Sequence, residues 1–332
     1  MAGIGVVLNP RSGRNLHDPT AALRLARRLG DKGVVREARS IDELYRIAED
    51  FRRAEIDVLA ISGGDGTNHV TLTGFLDVYA GETIPRVALL RGGTMNTVAN
   101  SVGVRQDRPE GLLGRVVRGY ALRANGPLYS MGQVERRVMK ITSADGGKAS
   151  YGFLFGTGVV HGFLDEYYRH GETNPLVAAK VLASAIASAV VGGEAIRRIA
   201  RPFRGSVELT GDERDGGTGR AVWPTQSYLA VAAGTIAHIG LSFKPFHRYA
   251  ERPDCFHVLG IHASPISFVR ELPRIHRGDP MRPGKAHDAV TERMTIRSDD
   301  GVVRYMIDGD LHEQRGALTV EIGPRVRLLV VR

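Results

Sequence analysis

Through residue 124 the chain alternates short, largely apolar runs with longer stretches whose apolar residues recur three or four apart. The runs are 4–8, 34–38, 58–61 and 87–90. Strands that are apolar on both faces need cover on both, and intervening helices supply it, so the pattern predicts a parallel sheet in an α/β domain. After the first run, Asp18 is placed to cap a helix with Pro19 at its first position, Leu23, Leu25, Ala26 and Leu29 facing inward and a stop at Gly33. After the second, Ser40 and Glu43 have the spacing of a capping box for a helix that carries Leu44, Ile47 and Phe51 inward.

Past about residue 125 short strand signals take over, at 207–209, 228–232, 256–261, 294–297 and 302–307. At the end Leu318, Val320 and Ile322 alternate with Thr319 and Glu321, and Val326, Leu328 and Val330 with Arg325 and Arg327. One buried face per strand predicts a β-rich second domain, a β-sandwich. The domains are expected at 1–124 and 125–332. Within the second, 174–200 reads as helical. Its stretch 176–191 is rich in Ala and Ser, holds Lys180 and falls short of a membrane span, so a buried or interfacial helix is expected. That helix and the segment 153–163, with Gly156, Gly158 and Gly162, can either wall a lipid groove or pack a core. Residues 211–219 are expected as an exposed loop.

The distinctive loops of the first domain all follow strands: Asn9-Pro10-Arg11-Ser12-Gly13, Ser40, Gly63-Gly64-Asp65-Gly66-Thr67-Asn68 and Gly92-Gly93-Thr94-Met95-Asn96. In a parallel sheet the ligand lies past the carboxyl ends of the strands, where loops enter helix N-termini. The glycines are expected to take positive φ and to bare N–H groups for phosphate oxygens. A carboxylate beside phosphates repels them unless a cation intervenes or the acid collects a proton, so Asp65 points to magnesium-dependent phosphoryl transfer. The plainer reading is a tight turn in which Asp65 caps the next helix.

Composition narrows the partners. The 332 residues are 42% apolar and 24% charged, as in a globular protein, with a formal charge of +9 that favours nucleotide, anionic lipid headgroups or nucleic acid. Aromatic stacking platforms and a helix-turn-helix are not evident, so no nucleic-acid partner is expected. A single cysteine, Cys255, excludes an internal disulfide, and the first residues lack a basic n-region; a cytoplasmic location is expected. His161, His170, His238 and His247 show no metal-ligand spacing and read as surface or packing residues.

Taken in order and at their separations, Asn9-Pro10-x-Ser12-Gly13, Gly63-Gly64-Asp65-Gly66-Thr67, Gly93-Thr94-x-Asn96 and Asp308-Gly309-Asp310 resemble the diacylglycerol kinase catalytic family. That family includes bacterial diacylglycerol kinases, sphingosine and ceramide kinases and, more distantly, NAD kinases. The resemblance covers nearly the whole chain and implies an ATP-dependent lipid kinase with an α/β domain, a β-sandwich domain and an active site between them. Carried over by position, it implies nucleotide contacts at Asn9, Pro10, Arg11, Ser12, Gly13, Ser40, Gly63, Gly64, Asp65, Gly66, Thr67, Asn68, His69, Gly93, Thr94 and Asn96. Asp310 would accept the proton of the acceptor hydroxyl, Asp65 would orient magnesium or that hydroxyl, and Asp65 and Asp254 would be Mg²⁺ ligands. The implied acceptor is a lipid alcohol such as diacylglycerol, met at the inner face of the membrane by a peripherally associated protein; a homodimer is allowed.

Four positions depart from the family pattern. Val70 stands where relatives carry Glu, Thr97 where the G-T-x-N pattern continues with Asp, and Asp310 where the third motif ends in Glu. The metal loop aligned with Glu251-Arg252-Pro253-Asp254-Cys255-Phe256 keeps only its Asp. A nicotinamide dehydrogenase is disfavoured because no G-x-G-x-x-G follows the first strand. An NAD kinase is disfavoured because the Asn9–Gly13 loop is present. A catalytically impaired lipid- or nucleotide-binding paralogue is the alternative reading.

Overall fold

The computed structural model describes residues 3–122, 131–171, 174–212 and 219–332. The change of pattern near residue 125 and most of the loop expected at 211–219 lie outside them. The chain divides into two units, Met1–Arg136 with Pro324–Arg332, and Arg137–Gly323.

In the first unit β1 (Ile4–Leu8) lies between β2 (Gly33–Glu37) and β3 (Val58–Ser62), with β4 (Arg86–Leu89) beyond β3, all parallel. Every residue of β1 and β3 is buried, as runs without alternation require. The last strand of the chain joins this sheet through Leu328, paired parallel to Val87. The connecting helices are α1 (Gly13–Leu16), α2 (Ala21–Leu29), α3 (Ile41–Arg53), α4 (Asp65–Tyr79), α5 (Thr97–Ser101) and α6 (Pro109–Ala121). Packing rather than turn chemistry sets the start of α2. It begins at Ala21 behind Thr20, and the Asp18 carboxylate bonds the Thr20 N–H (3.1 Å) and hydroxyl (2.8 Å) instead of capping a helix at Pro19. Ala21, Leu25 and Leu29 form its buried stripe and Gly30 ends it, at φ 60°. Leu23 is two residues out of step, which turns it to the opposite side, where it is 52% exposed; Ala26 is exposed too. The Ser40 cap holds, accepting from the Glu43 N–H at 3.2 Å, while the Glu43 carboxylate reaches the N–H of Arg39 rather than that of Ser40.

The second unit holds the greater part of β5 (Gly132–Ser143), β6 (Ser150–Gly152), β7 (Leu154–Thr157), β8 (Phe203–Asp212), β9 (Gly219–Tyr228), β10 (Ala230–Gly234), β11 (Phe256–Ile261), β12 (Ala286–Thr291), β13 (Arg293–Ser298), β14 (Val302–Ile307), β15 (Asp310–Arg315) and the first part of β16 (Leu318–Val330). One sheet runs β16-β13-β8-β9, with β5 beside β16 and β6 beside β5; the other is antiparallel in the order β12-β11-β10-β7-β14-β15. Val207, Met294 and Leu318 of the first and Phe155, Val258 and Val303 of the second share one buried cluster, so the unit is a sandwich. The strand expected at 228–232 is two strands. Tyr228 ends β9 in one sheet and Ala230 starts β10 in the other, with Leu229 between them bonded to Ile261 and Val159.

Helices α7 (Val159–Arg169), α8 (Pro175–Val191) and α9 (Glu194–Ile199) follow β7; α10 (Pro265–Val269) and α11 (Leu272–Arg277) follow β11. The Asn174 side chain caps α8 through the Val177 N–H at 2.9 Å. Ala178, Val181, Ala185 and Ser188 form its buried stripe, whereas Leu176 is 74% and Val191 79% exposed. The helix is therefore half-buried. Segment 153–163 is a packing element: a Cβ on Gly158 would lie 2.3 Å from the Leu229 carbonyl oxygen, and one on Gly162 2.1 Å from that of Ile199. Among the described residues no helix is long and apolar enough to cross a membrane.

Candidate functional site

Because β1, β3 and β4 are neighbours, the loops that leave their carboxyl ends share one edge. The Asn9 N–H continues the ladder to the Ser62 carbonyl at 3.1 Å, and its side chain accepts from the Arg11 N–H (2.9 Å) while donating to the Thr67 hydroxyl (3.0 Å). Thus one asparagine shapes its own loop and ties it to the next. Pro10 and Arg11 form the loop tip, and the Ser12 hydroxyl closes back on the Asn9 carbonyl at 3.0 Å. Asn15, buried at 6% exposure, places its amide within 2.9 Å of the Asn9 carbonyl, 3.0 Å of the Ser62 carbonyl and 3.1 Å of the Ser12 hydroxyl. The sequence held no sign of this beyond a polar residue in the first turn after Gly13.

The glycines serve close approach rather than unusual φ. None of Gly63, Gly64, Gly66, Gly92 and Gly93 has positive φ. A Cβ on Gly63 would lie 2.3 Å from the Thr67 side chain, one on Gly92 2.8 Å from the Gly63 nitrogen and one on Gly93 2.1 Å from the Gly64 Cα. Two backbones therefore pack where no side chain fits. The left-handed conformations fall on Gly13 (φ 23°), Arg91 (φ 54°) and Asn96 (φ 48°), whose side chain holds the Gly93 carbonyl at 2.8 Å. Thr94 lies half-buried at the tip of that loop. Gly64 is the N-cap of α4 and offers no side chain to its first-turn N–H groups, so these point to the loop edge without a capping residue. Asn68 and His69 are each 3% exposed and sit inside the unit rather than on the edge. Ser40 is exposed, its hydroxyl engaged in the α3 cap.

Asp65 opens α4 but caps α5. Its two carboxylate oxygens accept from the N–H groups of Thr97 (2.8 Å) and Val98 (3.1 Å), so it clamps the second loop to the third. Burial pushes its pKa up, opposed by those two hydrogen bonds and by the charge of Arg91. Asp65→Ala leaves two N–H groups without an acceptor, each worth about 1–3 kcal/mol. Urea denaturation is expected to show a loss of about 2–4 kcal/mol, and a loss below about 1 kcal/mol would contradict the clamp.

Beside the first loop lies a cavity of about 620 Å³ lined by Arg14, Asn15, Arg24, Leu25, Arg91 and Arg108 among others. Arg24 is neutralised by Asp18 and Glu110. Arg91 is 8% exposed and reaches the Val104 carbonyl at 3.3 Å; burial and the charge of Arg14 lower its pKa. Among the described residues neither Arg14 nor Arg91 has an ion-pair partner, an arrangement that an anion would stabilise. Arg91 immediately precedes the Gly92-Gly93 pair, and only its position in the chain hinted at its part here.

In the second unit Asp308-Gly309 is a two-residue hairpin turn between β14 and β15, with φ of 46° and 97°, the turn type that Asp-Gly favours. Asp308 is buried and its carboxylate accepts from the N–H groups of Phe153 (3.0 Å) and Leu154 (2.8 Å). The Tyr168 hydroxyl donates to the Gly309 carbonyl at 2.7 Å, an anchor that no motif announced. Asp310, next in line, is half-buried; burial raises its pKa, with only the charge of His312 acting against it. Asp254 is ion-paired with Arg137 and belongs to no group of three potential ligands among the described residues. His247, read from the sequence as a surface or packing residue, lies beside His257 and Asp288.

Residues 3–125 match the sequence model of the diacylglycerol kinase catalytic domain. Over 142 residues the chain is 30% identical to the probable lipid kinase YegS of Escherichia coli O127:H6 (strain E2348/69 / EPEC), and equally to that of Shigella flexneri. Each match covers 43% of this chain and 45% of the relative, so the chain spans a little under half the length of these relatives. The fold is similar to the crystal structure of a diacylglycerol kinase from Bacillus anthracis str. Sterne, with a TM-score of 0.62 at 13% identity, over 99% of this chain and 97% of that one. At that identity the likeness establishes the architecture, an α/β unit with a parallel sheet and a separate antiparallel β unit. The glycine loops that pack against one another lie in the stretch, residues 3–125, that matches the diacylglycerol kinase catalytic domain model.

Proposed function

We propose that this protein is an ATP-dependent lipid kinase that transfers the γ-phosphate to a hydroxyl of diacylglycerol or a related lipid alcohol. The observation that carries the reading is the contact of Gly63-Gly64 with Gly92-Gly93 beside the Arg14 and Arg91 guanidinium groups, in a domain of this family. Phosphoryl transfer asks mainly for positioning and for neutralisation of charge, and this edge supplies both. The first-turn N–H groups of α4 and the Asn9–Gly13 loop bind the phosphates, and Arg14 and Arg91 offset their charge. Magnesium, when bound with nucleotide, neutralises charge on the phosphate oxygens. Asp65 fits as its carboxylate ligand, since Mg²⁺ is usually held by one or two carboxylates together with phosphates, and each Asp65 oxygen can accept beyond its one N–H bond. Asp254 does not fit, because Arg137 already engages its carboxylate.

In the second unit Asp310 is the proposed proton acceptor for the attacking hydroxyl. It carries a raised pKa, and the neighbouring Asp308 fixes the turn on which it stands. The protein is proposed to work peripherally at the inner face of the membrane, where its acceptor resides. The engagement of both Asp65 oxygens by α5 favours a second reading, a nucleotide- or lipid-binding paralogue that has lost transfer.

One experiment separates these readings. Purified protein is incubated with γ-labelled ATP, magnesium and a panel of diacylglycerol, a sphingoid base, ceramide, phosphatidylglycerol and soluble NAD. Label in one lipid class is expected. Label on NAD alone would overturn the lipid acceptor, and ATP binding without transfer would establish the paralogue.

A further inference from the structure

A second chemical centre lies wholly within the second unit and does not depend on the kinase reading. In the β11–β12 pair His257 faces Val290 and Asp288 faces Leu259, which puts His257 and Asp288 on one face as diagonal neighbours. His247 arrives from the connection that precedes β11. The Asp288 carboxylate lies 3.2 Å from His257 Nε2 through one oxygen and 3.8 Å from His247 Nε2 through the other, and one ligand atom from each residue falls within 4.8 Å of the rest. A four-coordinate zinc-class ion with bonds of about 2.0–2.2 Å holds its donors roughly 3.3–3.6 Å apart, comparable with these two spacings, which run to different oxygens of the one carboxylate.

The outer partners of the two rings differ, because His257 Nδ1 is buried without a hydrogen-bond partner among the described residues. His247 Nδ1 lies 3.3 Å from the Pro245 carbonyl, which can only accept, so the proton of a neutral ring sits on Nδ1 and the lone pair of Nε2 faces the carboxylate. In that tautomer two acceptors face each other at 3.8 Å, a spacing that either a proton on Nε2 or a cation between them satisfies. Arg248 donates to Asp288 at 2.9 Å, but the same guanidinium is forked onto both oxygens of Glu251 at 2.6 and 3.0 Å. The Arg248 guanidinium is thus shared between Glu251 and Asp288, and its contact orients the Asp288 carboxylate from outside. The His257 ring is fully buried, and burial lowers its pKa toward the neutral, ligating form.

We propose that His247, His257 and Asp288 form a binding site for a divalent transition ion of the zinc class. Two imidazoles and one carboxylate suit such an ion, whereas Mg²⁺ and Ca²⁺ take oxygen ligands, so the site is distinct in kind from the nucleotide magnesium. Its consequence is structural: the ion ties the connection before β11 to the sheet.

The test uses the full chain, stripped with a chelator and titrated with Co²⁺ alone, then with Zn²⁺ in competition. Wild type is expected to take up one Co²⁺ with the visible absorption of four-coordinate cobalt, to lose that absorption to Zn²⁺, and to melt at a higher temperature with Zn²⁺ than without. His247→Ala and Asp288→Asn should bind roughly 100-fold more weakly, since even an outer-shell partner is worth about 10- to 100-fold. His262→Ala should bind as wild type does. Absence of the cobalt bands in wild type overturns the site whatever the variants do, and bands retained unchanged in His247→Ala overturn it as well.

Discussion

Asp310→Asn is expected to lower the rate of phosphoryl transfer by about 10²- to 10⁴-fold, the usual worth of a general base, while making the fold more stable at neutral pH. The two effects share one cause. Asp310 is half-buried, and burial raises its pKa. An unfolded Asp titrates near 3.9. Above that value the folded chain still holds a proton that the unfolded chain has released, so stability is greatest below it and falls as pH rises through the folded pKa. An amide of the same shape never ionises and escapes that loss. Activity is expected to run the other way, because the proposed base works only when ionised: kcat/KM should fall as pH falls through the raised pKa, and Asp310→Asn should lose that limb. Urea denaturation at several pH values, set beside a pH–rate profile, reads both. A variant that is less stable at neutral pH and fully active would show that Asp310 is a turn residue only. Asp308 is not an alternative base, since the Phe153 and Leu154 N–H groups hold its buried carboxylate.

Gly93→Ala should cost about 3 kcal/mol and abolish nucleotide binding. Its new methyl would stand 2.1 Å from the Gly64 Cα, a backbone atom that has no rotamer through which to escape. Relief requires the second and third loops to separate. That separation breaks the Asp65 clamp on Thr97 and Val98 and opens the surface on which the phosphates are proposed to rest. Gly103→Ala is the control. Gly103 has φ 78° but no atom within 4 Å of its absent Cβ, so only the left-handed strain of about 1–2 kcal/mol is expected, with ATP binding kept. Calorimetric titration with ATP and urea denaturation of both variants measure the difference. Gly93→Ala that binds ATP at wild-type affinity would mean the loops do not act as one platform.

Much of the first unit was legible because its signals are local. Largely apolar runs gave the four strands within a residue or two, although β2 is only partly buried, and Ser40 announced its helix. Where a loop meets another element the sequence says less. The glycines of 63–66 and 92–93 read as turns with positive φ, yet the structure uses their missing side chains for contact between loops distant in the chain. Asp65 read as a cap of its own helix or as a catalytic acid, and it caps α5. Asn15, Arg91 and Tyr168 matter through partners that no spacing predicts. In the second unit Phe256–Ile261 and Val302–Ile307 stood out because each is largely apolar, broken by one polar residue, His257 or Arg304. The edge strand Asp310–Arg315 carries mainly polar residues and resembles a loop until β14 pairs with it. Leu229 marks a passage between sheets that apolar periodicity cannot show, since Tyr228 and Ala230 are equally buried on either side. The His247, His257 and Asp288 cluster was invisible for the same reason, because two strands and a loop assemble it.

The most direct measurement is transfer of labelled γ-phosphate from ATP to diacylglycerol in mixed micelles, with ATP binding followed by calorimetry on the same samples of wild type and Asp310→Asn. The account predicts labelled lipid phosphate from wild type, and from Asp310→Asn equal ATP affinity with transfer reduced roughly 100-fold or more. Wild-type protein that binds ATP with magnesium and phosphorylates no lipid would contradict it.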